Sequence, residues 1–340
     1  MRQRLCRSLA TAVLLSLSGM VSPLPVSAQT GKLVFQSGFE DEASGGGAQA
    51  IVALAGIDNS VAPPNNWQDD LSAYGGLSFQ YECGDTTQRK AQIVDDPTGA
   101  INPATNQTNR VLLFWLKEAP LCSARARVQD FLMSTDFWEM TQRVRMFIHP
   151  DILILKQYPG KIDWLVFQEL WSTSNRGGSW GGGQNFRISF DINKATNGHE
   201  LYWKVNANQC CSPSQSFWSA INENTPIPIG RWFTAETYFK VGNRNTGRVQ
   251  FIIEVPGQQK EVVFDITDWT THPEDATHSP LQYWMPHKLY SSNDFVDFIR
   301  NKGGVLRVFW DDWKVWIGRP PTFIECCDGE DSEATGLLSF

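Results

Sequence analysis

Positive charge is scarce in this sequence. Lys and Arg number 29 against 36 Asp and Glu, and charged residues of both signs make up only 19% of the chain. No basic run is available to displace counterions from a phosphate backbone, so nucleic acid is excluded as the expected partner. Long apolar runs are missing as well, apart from Leu9 to Val21 near the start. That stretch follows Arg2, Arg4 and Arg7 and precedes the small residues Val26-Ser27-Ala28, the layout of a cleavable export leader rather than of a membrane span. Residues 1–28 are therefore expected to be removed, leaving a secreted or periplasmic protein that starts at Gln29 and has no membrane partner. Loss of the leader takes Lys+Arg from 29 to 26 and the net charge to −10. Cys6 lies ahead of the apolar run, so a lipoprotein is not expected.

Several catalytic signatures are also missing. There is no Gly-x-Ser-x-Gly elbow, and the five His are scattered, which argues against a Ser-His-Asp triad. Gly177 to Gly183, GGSWGGG, is followed by neither Lys-Ser/Thr nor a helix signal, so it reads as a loop beside a cleft, with Trp180 at its centre, rather than a phosphate cradle. The six cysteines after the leader, Cys83, Cys122, Cys210, Cys211, Cys326 and Cys327, lack the two-residue spacing of zinc ligands. An even number in an exported chain points to disulfides, with Cys83–Cys122 and a link between the two vicinal pairs as the natural guesses.

What the sequence does have is aromatic residues, 14 Trp and 20 Phe, set in short alternating stretches. Gly230 to Val255 is the clearest case. Phe233, Ala235, Phe239 and Val241 take one parity, while Trp232, Thr234, Glu236, Tyr238 and Lys240 take the other. Because successive strand side chains point to opposite faces, one face is apolar and the other mixes aromatics with charge. Similar alternation recurs at Arg125–Asp130, Arg143–His149, Phe186–Ile192 and Leu201–Asn206, and Asp163–Trp171 is an almost continuous apolar strand broken by Gln168 and Glu169. Lys32–Glu40 reads as a first strand that pairs with the last, Val305–Trp316. One helix is expected, Asn293–Lys302, capped by Ser291 or Ser292 and ended by Gly303. Strand, turn and strand at this spacing predict an all-β antiparallel sandwich or jelly roll with one short helix before the last strand. It is expected to be a single domain over residues 29–320, with an acidic tail over 321–340, and a monomer.

Three stretches carry candidate chemistry. Arg125, Arg127 and Gln129 place two guanidiniums and an amide on one strand face. Gln168 and Glu169 interrupt a buried strand. Pro286-His287-Lys288-Leu289-Tyr290 brings Lys and Tyr together just before the helix. This order resembles the jelly-roll polysaccharide lyases with a concanavalin A-like sandwich, whose strands carry an Arg, a Gln-x-His and a late Tyr-x-Lys-x-Gly-x-Tyr. Here Leu170 stands at the His position, and Lys288-Leu289-Tyr290 has no intervening Gly. The resemblance implies Arg127, Gln168, Lys288 and Tyr290 as catalytic residues acting on an extracellular uronic-acid polysaccharide. Arg125, Arg145, Trp180, Arg187, Trp232, Glu236 and Tyr238 are the expected substrate contacts. In β-elimination, Arg and Gln would stabilise the enediolate that forms when the proton α to the uronate carboxylate leaves. Tyr or His would take that proton and a Tyr would protonate the leaving oxygen, and as base Tyr290 would need Lys288 or Arg127 nearby to lower its pKa. No cofactor is demanded, and a structural Ca²⁺ is compatible with the sequence. Asp311 and Asp312 resemble the Asp pair near the end of lectin-like sandwiches, where it is structural.

Two other functions fit the same sandwich. A glycoside hydrolase needs two carboxyl groups flanking one bond, and Glu169 with Glu236 is the best pair. A non-catalytic, lectin-like domain would grip a glycan with Trp180, Trp232 and Tyr238. Parity separates the first two: the lyase needs Gln168 to face the cleft and the hydrolase needs Glu169, and neighbours in a regular strand cannot both do so.

Overall fold

The computed structural model describes residues 31–40, 50–84, 86–103, 105–173, 185–210 and 214–320. The expected leader over 1–28 and tail over 321–340, Trp180 with its Gly-rich stretch, and Cys211, Cys326 and Cys327 lie outside the described residues. In chain order the main strands are Lys32–Ser37 (β1), Leu77–Tyr81 (β2), Arg89–Asp95 (β3), Arg110–Leu116 (β4), Arg125–Phe137 (β5) and Glu139–Ile148 (β6). They continue with Ile162–Thr173 (β7), Asn185–Lys194 (β8), Tyr202–Gln209 (β9), Gln215–Asn222 (β10), Trp232–Lys240 (β11) and Arg248–Glu254 (β12). The last four are Glu261–Thr267 (β13), Leu281–Met285 (β14), Lys288–Ser292 (β15) and Leu306–Ile317 (β16).

These strands form two eight-stranded antiparallel sheets. The first runs β13-β12-β11-β6-β16-β4-β3, with β1 also on β16, so the first strand does pair with the last. The second runs β10-β9-β8-β7, then β14 and β15 end to end, then β5 and β2. The sheets pack face to face because each strand turns its apolar parity inward. Phe233, Ala235 and Phe239 of β11 and Val249, Phe251 and Ile253 of β12 join one core with Ile188, Phe190 and Ile192 of β8 and Trp203 and Val205 of β9. Trp313 lies at the centre, with its ring centroid 5.0 Å from that of Phe35 and 4.9 Å from that of His287.

The helix Asn293–Asn301 (α1) follows β15 directly. The Ser292 hydroxyl accepts from the Asp294 backbone N–H at 3.3 Å. Gly303, at φ +83°, ends the helix in the left-handed conformation that a side chain resists. Short helical elements escaped the sequence reading: one turn of α-helix over Asp69–Ser72, a 3₁₀ turn over Glu82–Gly84, and a longer 3₁₀ segment over Pro150–Gln157 that starts with the Asp151 N–H donating to His149 Nδ1. The Cys83–Cys122 disulfide is present. Cys210 is also disulfide-bonded.

The β7 strand contains the irregularity on which the site turns. Its pairing with β8 shifts register between Val166 and Gln168, a β-bulge. Leu165 and Phe167 point into the core before the bulge, and Leu170 does so after it. Gln168 also points inward, where its amide Nε2 donates to Gln142 Oε1 and its Oε1 accepts from the Thr237 hydroxyl at 2.8 Å. Two consecutive inward residues return Glu169 to the outer face.

Candidate functional site

The outer face of the second sheet gathers side chains from four strands. From β5 come Arg127 and Gln129, directly opposite Tyr290 and Lys288 of β15 in the ladder. From β7 comes Glu169, and from β8 comes Arg187. Glu169, fully buried, is the hub. Lys288 Nζ lies 2.6 Å from its Oε2, Arg187 Nη1 lies 3.6 Å from its Oε1, and the Trp171 indole N–H donates to Oε2 at 2.8 Å. Lys288 Nζ also stands 4.7 Å from the Tyr290 ring centroid, and the Arg187 guanidinium 5.5 Å from that of Trp171. Glu82, just past β2, accepts from Arg125 at 3.1 Å and sits 3.1 Å from Arg127, fixing both guanidiniums at the rim. The Arg127 and Arg187 side chains keep 21% and 18% exposure, whereas Lys288 keeps 3%, so the arginines are what an arriving ligand meets first.

The start of β15 is set from inside the sandwich. His287 donates its backbone N–H to Asp130 Oδ1 at 2.9 Å, and its Nδ1 lies 2.7 Å from Asp130 Oδ2. The Gln142 amide donates to the Pro286 carbonyl at 3.2 Å. With His287 anchored inward, the period of two turns Lys288 and Tyr290 outward and Leu289 into the core.

Electrostatics separate the three central groups. Burial pushes the Glu169 carboxyl up, but Lys288, Arg187 and the hydrogen bonds from Lys288 and Trp171 outweigh it and hold the group below its ordinary range. Burial drives Lys288 down, Glu169 opposes, and Arg127 and Arg187 push it further, to about 8. Tyr290 moves the other way from expectation. Burial and then Glu169 raise its phenol above the ordinary 10.0, and Arg125 only partly offsets them. The cations near Tyr290, Arg125 and Arg187, pull it down but do not overcome burial and Glu169. On the same face, burial raises Asp191 to about 7 against Lys204 and Arg187, with Glu169 adding to the rise.

The expected site residues therefore divide. Arg125, Arg127, Arg187, Lys288 and Tyr290 come together. Gln168 does not join them: it lies in the layer between the sheets, hydrogen-bonded to Gln142 and Thr237, because the bulge reverses its parity. Gln168→Ala is expected to lower stability by about 1–3 kcal/mol in urea unfolding, since it strands two buried polar partners. Turnover of any substrate should be unchanged; a loss of turnover at unchanged stability would put Gln168 in the site after all.

Arg145, Trp232, Glu236 and Tyr238 belong to the other sheet and face away from Lys288. Arg145 Nη1 pairs with Asp311 at 2.9 Å and lies 4.8 Å over the Trp232 ring. Glu236 sits near Lys260 at 3.8 Å, and the Tyr238 hydroxyl donates to Glu139 at 2.6 Å. Glu169 and Glu236 thus occupy opposite outer faces of the sandwich and cannot flank one glycosidic bond. Asp311 is the ladder partner of Arg145, and Asp312, at φ 47°, opens a bulge opposite Val144. The reading of the sequence missed Glu82, which follows an unremarkable strand, and it placed Glu169 only in the hydrolase pair.

No known family model matches this sequence, and no curated protein does. In fold the chain is similar to the alginate lyase Aly36B, solved as a double mutant with alginate tetrasaccharide, at 14% identity over 84% of this chain and 97% of that one, TM-score 0.46. It is also similar to an endo-β-1,4-glucuronan lyase from Trichoderma reesei, at 14% identity over 70% of this chain and 90% of that one, TM-score 0.41. A third similar structure is the PL-14 alginate lyase from Aplysia kurodai, at 8% identity over 78% of this chain and 97% of that one, TM-score 0.42. The all-β sandwich expected from the sequence is the fold that the two sheets form.

Proposed function

We propose that this protein is an exported polysaccharide lyase that cleaves a uronic-acid polymer by β-elimination on the outer face of the second sheet. One observation carries the reading: a buried lysine driven to about 8 stands over a phenol driven above 10, between two partly exposed arginines. Titratable neighbours pushed apart in this way are an acid and a base in waiting. The uronate carboxylate would lie against Arg127 and Arg187, which neutralise the charge that builds up as the enediolate forms. Neutral Lys288 takes the C5 proton, the C5–H electrons become the C4=C5 double bond, and the C4–O bond breaks. The protonated Tyr290 hydroxyl gives its proton to the leaving oxygen. The ammonium generated on Lys288 meets Glu169, 2.6 Å away, so the charge created by proton transfer has a partner in place. The base is thus lysine, where the sequence expectation was tyrosine or histidine, and tyrosine keeps the acid role.

The test is incubation of the purified protein with alginate, glucuronan, glycosaminoglycans and neutral glucans. An unsaturated uronyl chromophore supports the lyase, new reducing ends without it support hydrolysis, and neither product rejects both. The pH profile gives a second check. The base works deprotonated, so the rate should rise with pH through about 8. It should fall only once Tyr290 loses its proton above 10.0. A profile flat through 8, or falling there, removes Lys288 as base.

A second reading, a binding face without chemistry, is favoured by the near-complete burial of Lys288 and its 2.6 Å tie to Glu169. It predicts retention of an acidic glycan with no new product.

A further inference from the structure

The aromatic and charged residues of β6, β11 and β16 remain outside the proposed site, yet they frame a cavity of their own. On the outer face of the first sheet, a groove of about 440 Å³ is lined by Arg143, Arg145, Thr234, Asp312, Lys314 and Trp316. Arg143 and Lys314 are direct partners across the β6–β16 ladder. Lys314 and Trp316 share one face of β16, about 7 Å apart along the strand. The two guanidiniums are held in place: Arg143 lies 3.1 Å from Glu254, and Arg145 lies 2.9 Å from Asp311 and 3.4 Å from Asp312. Each nevertheless keeps about a third of its side-chain surface, 30% and 33%. Lys314 has no ion-pair partner among the described residues, and Trp316, half-exposed, has no ring partner among them.

We propose that this groove is a second, non-catalytic binding site for an acidic oligosaccharide, on the opposite face of the sandwich from Lys288. A half-exposed indole offers a flat apolar surface to a sugar ring. The unmatched ammonium and the two fixed guanidiniums are placed to receive carboxylates, and Asp312 and Thr234 can accept from sugar hydroxyls. A purely anionic ligand such as phosphate would leave the indole unused and would meet Asp312. The inference concerns binding and does not require elimination at Lys288; the two sites share only their class of ligand.

The experiment measures retention of the protein by alginate and by polyglucuronate in affinity electrophoresis, with mixed-linkage glucan as the neutral control. Lys288→Ala, or Tyr290→Phe if the first does not fold, keeps the polymers intact during the measurement. On that background Lys314→Glu and Trp316→Ala should each weaken binding to an acidic polymer about fivefold or more. In the otherwise unchanged protein, neither substitution should alter the initial rate on a trisaccharide, which is too short to span both faces. Unchanged affinity in both variants, with melting curves that show them folded, overturns the site, as does the absence of binding to either polymer by the parent. If no unsaturated product is ever formed but Lys314→Glu still loses affinity, the proposed lyase activity fails and the groove stands.

Discussion

Lys288→Ala is expected to lower the elimination rate by about 10²–10⁴-fold, the contribution of a positioned general base. Lys288→Arg should be no better, because a guanidinium cannot release its proton at working pH and needs a wider, planar site. The loss should fall on kcat, since Arg127 and Arg187 would still hold the carboxylate. A structural role for Lys288 would also reduce activity, so the pH profile decides. Glu169→Gln removes the one group that raises the Lys288 pKa while keeping the side-chain shape. It should therefore move the rising limb of the rate profile to lower pH. A limb that stays in place shows that the titrating group is not the lysine beside Glu169.

Glu169→Ala is expected to destabilise the fold by about 3–5 kcal/mol in urea unfolding at neutral pH, because it leaves buried cations without their partner. The sign of its pH dependence follows from the carboxyl, whose folded pKa lies below its ordinary 4.5. Its stabilisation is complete above the unfolded value and is lost as pH falls through the folded one, so the gap between wild type and variant should close in acid. The double variant Glu169→Ala with Lys288→Met should be less destabilised than the two single changes summed, since it removes both charges together. Simple additivity would mean that the 2.6 Å pair contributes little to the fold.

Much of this molecule could be read from alternation alone. The inward set Phe233, Ala235 and Phe239, the outward set Arg125, Arg127 and Gln129, the pairing of the first strand with the last, and the helix capped by Ser292 all follow from periods of two and of 3.6 and from local capping chemistry. The candidate site was legible in the same degree: Arg127, Arg187, Lys288 and Tyr290 were identifiable as polar residues in otherwise apolar strands. Gln168 was misplaced because its parity depends on a bulge, and one extra residue in β7 has no signature in composition or spacing. Tyr290 was misjudged because its pKa answers first to its own burial and then to a carboxylate on a strand far away in sequence.

By itself, then, the order of residues determined which side chains share a strand face, since that depends only on the backbone's alternating geometry. It also determined the all-β class, from the frequency of turns and the scarcity of helical periodicity. Only the tertiary structure decided which sheet each strand joins, and with it the separation of Trp232, Glu236 and Tyr238 from Lys288 by the full thickness of the core. Sheet membership is set by long-range packing of two apolar layers, and many strand orders bury the same residues equally well. The charge states of Glu169, Lys288 and Tyr290 came from the same source, because desolvation and proximity arise only once β5, β7, β8 and β15 lie side by side.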